Sequence, residues 1–461
     1  MNRRTFVTGM GAAGLIASLP SLGENSRRAT LTIKEGGTGA AIPRDFTGLS
    51  YESAQLANPE FFSGRNKELV ELFRGLTTSG NLRLGGGSSE FTTYSDADPA
   101  GPPPFEVFGP DTSKTVKHGT ITTALALSNL RAFLDATGWN CLYGLNLGQG
   151  TKENATAEAA AAFGILGPRL LAFQIGNEPD GFRNRYRPAS YGPEDYLREW
   201  NTFRDAIVAV TPQAKFAGPD ISNKLPYLTA FAEEAPRHRD VILLTMHYYA
   251  MGPASSPDAT IAQLFDPDPK LATLHAHSLP EIAEAIKTAG LPFRISEGNS
   301  CWDGGKPGVS DTLASALWCA DMMLRFAGRG WSGVNLHGGG NGFYTPIAGA
   351  PSTGFTKRPE YFGIQFAKNF AGAQLTESNL SPALPGIKTY SSLQAGRRRV
   401  AVINQSEDNV NLALPRRVTG HAMKLSGPSL ASTAGVEFGE VRVPHSQEVA
   451  IGAHTGMIYE I

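Results

Sequence analysis

Cysteine is scarce in this chain, and its spacing excludes the usual structural uses of thiols. Only Cys141, Cys301 and Cys319 occur among 461 residues. An odd and sparse set of this kind does not build a disulfide framework, and no pair has the spacing of zinc ligands. Cys141 and Cys319 lie in apolar runs and are predicted to pack as small hydrophobes. We therefore expect no metal and no cofactor.

The chain also lacks an excess of charge of either sign. Its 41 basic and 42 acidic side chains leave a formal net charge of −1. Such a balance provides no broad positive field for nucleic acid or for an anionic membrane, so neither is expected as a partner. Beyond the N-terminus, no run is long and apolar enough to cross a bilayer. Oligomeric state is left open.

The N-terminus carries the features of an export leader. The basic start Arg3-Arg4-Thr5-Phe6 precedes the apolar, small-residue stretch Val7–Leu19. This order is typical of a secretory signal peptide, and the paired arginines favour the twin-arginine type. A frayed N-terminal helix is the alternative. We predict a leader over residues 1–24 and a periplasmic or secreted protein.

Between residues 45 and 371, short β-type runs alternate with longer helical patterns. The predicted strands are Phe46–Ser50, Asn81–Leu84, Asn140–Leu145, Leu170–Ile175, Lys215–Ala217, Val241–His247, Phe293–Ser296 and Ser332–Leu336. Helices are predicted, for example, at Lys67–Leu76, Ile121–Ala136, Pro193–Val210, Leu279–Ala289 and Asp311–Ala327. Eight such units predict an α/β fold, a (β/α)₈ TIM barrel. A doubly wound open sheet is less favoured, because no G-x-G-x-x-G turn opens the first unit.

The pattern changes after the barrel region. Strand-like runs separated by turns occur from residue 375 to 461, and they predict a small C-terminal β-sandwich domain. These runs are Gly386–Leu393, Arg398–Asn404, Val410–Leu414, Val436–Val443 and Glu448–Ile451. An N-terminal strand within residues 30–36 is predicted to join the same sandwich. Two long connections, Gly85–His118 and Ala250–Ser278, follow barrel strands and should stand over the active-site face.

Two glutamates follow apolar strands that face each other across the predicted barrel mouth. Glu178 lies in Phe173-Gln174-Ile175-Gly176-Asn177-Glu178-Pro179, after strand four, and Glu297 follows strand seven. Hydrolysis of a glycosidic bond needs such a pair: one carboxyl protonates the departing oxygen and the other attacks or stabilises the anomeric carbon. Two exposed glutamates without a special role are the alternative. The pairing of Asn-Glu-Pro with a strand-seven glutamate favours catalysis.

With these residues the chain resembles the large clan of retaining barrel glycosidases. More narrowly, it resembles glycoside hydrolase family 79, the heparanase and β-glucuronidase family. The stretches that carry the resemblance are Leu82-Arg83-Leu84-Gly85-Gly86, Gly176-Asn177-Glu178-Pro179, His247-Tyr248-Tyr249, and the run from Glu297 through Gly304-Gly305 to Asp311. The resemblance implies that the sandwich packs on the barrel. It also implies Glu178 as acid/base and Glu297 as nucleophile.

The resemblance assigns further roles position by position. Asn177 matches the amide that binds the sugar 2-hydroxyl, and Tyr249 the hydroxyl that donates to the nucleophile. His247 shares the side of strand six with Tyr249, because side chains alternate along a strand. Glu52 is a candidate to bind sugar hydroxyls, and Gly86 would line the same wall. Tyr249 as plain core and Glu52 as a solvated loop residue are the alternatives.

A glycine-rich turn after strand seven is the predicted uronate site. In the family, backbone N–H groups of this turn bind the sugar carboxylate, helped by tyrosine hydroxyls. Here the turn is Trp302-Asp303-Gly304-Gly305, and Tyr344 is the matching tyrosine after strand eight. Trp302 replaces a common tyrosine, and Asp303 replaces a glycine found in heparanase. Both turns could instead be simple tight loops.

The sequence thus predicts a retaining exo-β-glucuronidase that takes a carbohydrate with a terminal uronic acid. The alternatives are another retaining β-glycosidase, such as a β-glucosidase or a disaccharide-releasing enzyme, an endo-acting heparanase-like enzyme, and a non-catalytic carbohydrate-binding protein. Endo action on sulfated chains would need basic flanks. The candidates for such a flank are Arg183, Arg185 and Arg187.

Overall fold

The computed structural model describes residues 27–36, 39–95, 119–266 and 278–461. The predicted leader at 1–24 lies outside these ranges, as do parts of both long connections over the barrel mouth. Export therefore stays a prediction. Within the described ranges, no helix combines the length and apolarity that crossing a bilayer requires.

Eight parallel strands close into a barrel in chain order. Numbered as barrel strands 1 to 8, they are Thr47–Glu52, Asn81–Gly85, Asn140–Leu145, Leu170–Ile175, Phe216–Ile221, Val241–Pro253, Phe293–Trp302 and Gly333–Gly338. Strand 8 pairs with strand 1 through Leu336 and Leu49, and strand 1 continues to strand 2 through Leu49 and Leu82, which closes the ring. The predicted barrel is confirmed, and the open sheet is excluded.

A helix follows every barrel strand and covers the outside of the ring. The helices are Lys67–Leu76, Ala124–Thr137, Lys152–Leu166, Pro193–Val210, Leu225–Glu234, the short Ile261–Phe265, Leu279–Ala289, Leu313–Gly328 and Pro359–Ala367. The first buries Leu69, Phe73 and Leu76, spaced to form one helical face. The prediction that a helix starts at Ile121 is wrong. Ile121 lies in a short strand, and Thr123 caps the helix by accepting from the Ala126 N–H at 3.2 Å.

Two pairs of short strands lie outside the barrel sheet, in the connections between its strands and helices. Thr92–Tyr94 pairs in parallel with Thr120–Thr122, after strand 2. Ile347–Ala350 and Gly354–Lys357 form an antiparallel hairpin after strand 8. Both follow carboxyl ends of barrel strands, where active-site loops of this fold lie.

Two β-sheets form the second unit. Their strands are Ser378–Ser381, Arg27–Ile33, Val410–Ala413 and Glu448–Ile451 in one sheet, and Gln374–Thr376, Ile387–Gln394, Arg397–Asn404, Thr455–Glu460, His421–Ser426 and Glu437–Arg442 in the other. Leu31 of the N-terminal strand packs in the core between the sheets. The predicted sandwich with an N-terminal strand is confirmed, and that strand runs from Arg27 to Ile33.

The larger sheet lies between the sandwich core and the barrel. Along Arg397–Asn404, Val400 and Val402 face the sandwich core, whereas Ala401 and Ile403 join the main core of the barrel. This follows from the two-residue alternation of a strand. Tyr390 adds a polar link, because its hydroxyl donates to the Asp321 carboxylate at 2.5 Å.

Strands 5 to 7 extend further than predicted, and strand 7 contains a bulge. Strand 7 pairs Ile295 with Met246 and then Glu297 with His247, so that one extra residue, Ser296, is inserted. Strict alternation would place Glu297 on the outer face with Ile295. The bulge instead turns both Ser296 and Glu297 towards the barrel interior, as bulges near active sites often do.

Candidate active site

Glu178 is held in an unusual turn at the end of strand 4. Gly176 has φ of +88° and Glu178 has φ of +50°, a left-handed conformation that is strained for a side chain larger than glycine. Two bonds hold the turn: the Glu178 N–H donates to the Asp220 carbonyl at 2.9 Å, and the Asn177 N–H donates to Glu90 Oε1 at 2.5 Å. The Glu178 side chain is 35% exposed, so it is open to the barrel mouth.

Glu297 lies opposite, deeper in the barrel, and both of its oxygens are engaged. The Tyr249 hydroxyl donates to Oε1 at 2.8 Å, and the Arg83 guanidinium donates to Oε2 at 2.5 Å. Only 9% of the side chain is exposed. The contact from Tyr249 is the one that the family resemblance implies.

The two carboxylates approach each other closely. One oxygen of Glu178, one oxygen of Glu297 and a ring nitrogen of His247 all lie within 4.8 Å of one another. Retaining glycosidases hold their two carboxyl groups about 5–5.5 Å apart, whereas inverting enzymes leave roughly 6.5–9.5 Å for a water molecule. The spacing therefore suits direct attack on a sugar by one of the carboxylates.

Arg83 is the centre of a buried polar network that the sequence analysis did not assign. Besides Glu297, its guanidinium donates to the Asn177 side-chain oxygen at 2.7 Å and to Asp220. It also donates to Gln174 and Ser50 at 3.2 Å. One planar, permanently charged group thus fixes side chains from four other strands or their ends.

His247 connects Glu178 to Asp220. Its Nδ1 lies 2.9 Å from Glu178 Oε1, and its Nε2 lies 3.2 Å from Asp220 Oδ1. Both ring nitrogens thus face oxygens of acidic side chains, and a doubly protonated imidazolium can donate to both. Burial alone would lower the pKa of His247, but the charges of Glu297 and Asp220 and both hydrogen bonds raise it to about 10.

The surroundings shift the pKa values of Glu178 and Glu297 in opposite directions. Burial alone would raise the pKa of Glu297, but the His337 and His247 rings, the Arg83 charge and the Tyr249 hydroxyl lower it to about 2. For Glu178, burial raises the pKa above its usual value, and the negative charge of Glu297 adds to the rise against the opposing His247. One carboxyl is thus kept ionised while the other favours its proton, which is the division of roles that acid-assisted displacement needs.

The spacing of Glu178, His247 and Glu297 would also suit a metal ion. The charges argue against one. The imidazolium of His247 already bridges two carboxylates, and the Arg83 guanidinium occupies Glu297 Oε2. A cation would have to displace one positive charge and approach another.

Glu52 and Gly86 pack against each other in the wall of the site. Glu52 Oε2 accepts from the Ser88 N–H at 2.7 Å and from its hydroxyl at 2.5 Å, and the side chain is almost entirely buried. A Cβ on Gly86 would lie 2.4 Å from the Glu52 carboxyl carbon, and Gly86 has φ of +72°. The glycine thus permits this contact. Direct sugar binding by either residue remains a prediction.

The turn after strand 7 packs against Tyr344. Asp303, Gly304 and Gly305 have successive φ values of +61°, +80° and +84°. The Tyr344 N–H donates to the Gly304 carbonyl at 3.3 Å, and the Tyr344 ring lies 6.4 Å from that of Tyr249. The turn is therefore connected to the nucleophile by Tyr344 and Tyr249. Burial raises the pKa of Asp303.

Trp302 and the three arginines of the predicted basic flank differ in how accessible they are to a ligand. Trp302 is 45% exposed, unusual for so large an apolar side chain. Arg187 is committed internally, since it donates to the Leu147 and Gly148 carbonyls and pairs with Glu199 at 2.8 Å. The Arg185 guanidinium lies 4.8 Å from the centre of the Tyr186 ring. Arg183 lines a cleft of about 660 Å³ beside the loops after strands 4 and 5.

The residues that sequence reasoning missed are Arg83, Glu90, Asp220 and His337. Arg83 had a signal, because a lone charged residue inside the apolar run Asn81–Gly85 needs buried partners. Asp220 sits at a second irregularity, between pairs formed by Pro219 and Ile221, with φ of +61°. No periodic pattern marks such a position. Glu90 lies in a short 3₁₀ helix, Gly87–Phe91, and no periodic pattern marks it either.

Removing the Arg83 charge should destabilise the protein and disturb Glu297. Arg83→Met leaves the buried carboxylates of Asp220 and Glu297 without their cation, which should cost about 3–5 kcal/mol in urea unfolding. Because Arg83 helps to lower the pKa of Glu297, its loss should raise that pKa. The acidic limb of the pH profile of kcat/KM should then move to higher pH.

Arg294→Met is the matched control. Arg294 is equally buried, but it donates to the Asp45, Phe46 and Ser332 carbonyls and to Asn335. Its loss should lower stability without moving the acidic limb. An unchanged limb in Arg83→Met, or an equal movement in both variants, would show that Arg83 does not set the ionisation of Glu297.

Comparisons with known proteins identify two fungal β-glucuronidases as relatives of this chain. No protein-family model matches the chain. A β-glucuronidase of Aspergillus niger is 24% identical over 98% of this chain and 89% of its own length. A β-glucuronidase of Neurospora crassa is 27% identical over 63% of this chain and 56% of its own length.

Solved structures share the fold. A 4-O-α-L-rhamnosyl-β-D-glucuronidase from Fusarium oxysporum matches with a TM-score of 0.70 at 17% identity, over 94% of this chain and all of that one. An α-L-arabinofuranosidase from Thermotoga maritima matches with a TM-score of 0.66 at 14% identity, over 94% and 99%. The predictions of a TIM-barrel fold and of a glycoside hydrolase are confirmed.

Proposed function

We propose that this glycoside hydrolase is a retaining exo-β-glucuronidase of glycoside hydrolase family 79. The observation that carries the proposal is the pair Glu178 and Glu297, with oxygens within 4.8 Å and pKa values displaced in opposite directions. Both fungal relatives are named β-glucuronidases, which supports glucuronic acid as the sugar of the substrate. A non-catalytic binding protein would need neither carboxylate.

In the first step, ionised Glu297 attacks the anomeric carbon while Glu178 gives its proton to the leaving oxygen. The bond to the leaving group breaks as a glycosyl ester of Glu297 forms. Tyr249 and Arg83 hold the Glu297 oxygens in place for this attack. Glu178 then takes a proton from water, which hydrolyses the ester and regenerates both carboxyls. Two inversions at the anomeric carbon give net retention.

Asn177 is the proposed partner of the sugar 2-hydroxyl. Its side-chain oxygen accepts from Arg83 at 2.7 Å, which fixes the orientation of the amide. The NH₂ group is then the part that can donate to a ligand. A hydrogen bond to the 2-hydroxyl strengthens as the sugar approaches the oxocarbenium-like transition state.

The turn from Trp302 to Gly305 is the proposed uronate site. Glycines let the backbone of this turn approach a ligand closely, and successive N–H groups in a turn can form a concavity that binds anions. The turn adjoins Tyr344, which lies beside the nucleophile pair. Arg187 is used inside the protein rather than presented to a long anionic chain, which leaves a smaller basic flank for endo action.

A pair of substrates that differ only at C6 tests the sugar. p-Nitrophenyl β-glucuronide should be hydrolysed with kcat/KM at least about 100-fold above that of the β-glucoside, because N–H groups placed for a carboxylate lose their partner in the glucoside. A preference for the glucoside would support the rival β-glucosidase. Rejection of both would contradict exo action on either of these sugars.

Two glycine variants test whether this turn sets the preference for the glucuronide over the glucoside. Gly305→Ala would place its Cβ 2.7 Å from the Tyr344 nitrogen, so the turn must shift. We expect the ratio of glucuronide to glucoside activity to fall. Gly308→Ala is the control: Gly308 also has positive φ, at +73°, but its Cβ would meet nothing within 4 Å. Equal ratios in the two variants would argue against the turn as the uronate site.

A further inference from the structure

We infer that Glu90 is a positioning residue that aims Glu178 by fixing the backbone before it. Glu90 lies in the short 3₁₀ helix Gly87–Phe91, in the connection after strand 2, and is almost completely buried. Its Oε1 accepts from the Asn177 N–H at 2.5 Å. Its Oε2 accepts from the Leu147 N–H at 3.0 Å and from the Gly148 N–H. One carboxylate thus connects the loops that follow strands 2, 3 and 4.

The middle loop is held from its other side as well. Arg187 donates to the Gly148 carbonyl at 2.8 Å and to the Leu147 carbonyl at 3.0 Å. Glu90 therefore binds the amides of these two residues, while Arg187 binds their carbonyls. Gly148 is needed for this approach, because a Cβ there would lie 2.8 Å from Glu90 Oε2. Glu90 consequently rests on a fixed support rather than on a mobile loop.

The position of this support matters because of the strained turn it holds. Glu178 has a left-handed backbone, and its own N–H is bound by the Asp220 carbonyl. Glu90 binds the preceding N–H, of Asn177. Two consecutive amides are thus anchored from different places, one by the connection after strand 2 and one by strand 5, and together these anchors set where the Glu178 carboxyl points. Loss of one anchor should let the turn relax and misplace the proton donor, although Glu90 itself contacts no substrate.

Three N–H donors favour a carboxylate at this position. Burial raises the pKa of Glu90 to about 7, while the amides of Gly148, Asn177 and Leu147 act in the opposite direction. The ionised form offers an acceptor to every donor. Glutamine would place its NH₂ group against at least one N–H, so Glu90→Gln breaks the anchor at nearly constant volume.

The test uses the acidity of the leaving group and rests on the proposed function. Phenyl β-glucuronide needs a proton on its leaving oxygen, whereas 2,4-dinitrophenyl β-glucuronide departs without one. A misplaced acid should therefore lower kcat/KM for the phenyl substrate by about 100-fold, within the range of general acid catalysis, and for the dinitrophenyl substrate by less than about threefold. A merely structural defect would lower both by the same factor.

Glu158→Gln is the matched control. Glu158 is also a fully buried glutamate, and burial raises its pKa to about 7 as well. It accepts from the Tyr143 hydroxyl at 2.7 Å, on the helix Lys152–Leu166, away from the strand 4 turn. Its ratio of phenyl to dinitrophenyl activity should match that of the wild type.

Glu90→Asp provides a second variant should Glu90→Gln fail to fold. It keeps the charge but withdraws it by one methylene, so the same substrate-dependent loss is expected. Equal losses on both substrates, or none, in the folded variant would overturn the inference. Failure of the wild type on both glucuronides would reject the proposed sugar instead. The same two leaving groups on the accepted sugar would then test Glu90.

Discussion

Replacing Glu297 by alanine should lower kcat/KM for aryl β-glucuronides by at least about 10⁴-fold, because the covalent intermediate of the proposed mechanism forms on its carboxylate. Glu297 is the carboxylate with the lowered pKa, and Tyr249 and Arg83 hold it. Azide should enter the space that the side chain leaves and attack in its place. Product analysis by NMR should then show α-glucuronosyl azide, formed by a single inversion.

Two outcomes would contradict this assignment. Near-normal hydrolysis by Glu297→Ala without azide would show that the nucleophile lies elsewhere. A β-configured azide product would assign Glu297 the role of acid/base. Melting temperatures of the variant and the wild type control for loss of fold, since Glu297 also neutralises Arg83.

Replacing Glu178 by alanine should have the second largest effect, and one that depends on the substrate. We expect kcat/KM to fall by about 10²–10⁴-fold for phenyl β-glucuronide and far less for the dinitrophenyl compound. Azide should now give the β-configured product, because it attacks the glycosyl ester on Glu297 in the second step. The opposite azide stereochemistry of the two variants separates nucleophile from acid.

The same residue should set the basic limb of the pH profile. Burial raises the pKa of Glu178, so its proton is retained to higher pH than in a free glutamate. In the wild type, kcat/KM should fall as the pH rises through that pKa, since only protonated Glu178 can act. Glu178→Ala should lack this limb with the dinitrophenyl substrate. A limb that persists unchanged would assign it to another group.

Periodic patterns were enough to predict the barrel. The helices Lys67–Leu76, Pro193–Val210 and Leu279–Ala289 begin and end where the sequence predicts, because each combines an apolar face with a clear boundary residue. Strands 3 and 4 also keep their predicted bounds. Both are short apolar runs with turns or helices on each side.

Strands that are buried on both faces, or interrupted by a bulge, could not be predicted from periodic patterns. The strand Thr455–Glu460 was missed because Met457 and Tyr459 face the sandwich core while Ile458 faces the barrel. Burial on both faces removes the alternation that marks a strand. Strand 7 was placed too short, since the bulge at Ser296 breaks its two-residue period.

The active-site residues also differ in whether the sequence could predict them. Glu178 and Glu297 could be predicted because a polar residue after an apolar strand marks the barrel mouth. Tyr249 could be assigned as well, through the family resemblance. Asp220 and Glu90 could not, since Asp220 occupies a left-handed backbone position and Glu90 acts through main-chain amides. Interactions with the backbone leave no trace in the pattern of side chains.

The bulge in strand 7 lets Glu297 face inwards although the strand holds one residue more than its neighbour. Removing Ser296 would join the pairs Ile295–Met246 and Glu297–His247 into an unbroken ladder, so Glu297 would keep its inward orientation. The loss would fall on Asp220, which accepts from the Ser296 hydroxyl at 2.5 Å. The position directly before the nucleophile can thus accept a change in chain length that would exchange the two faces elsewhere in the strand.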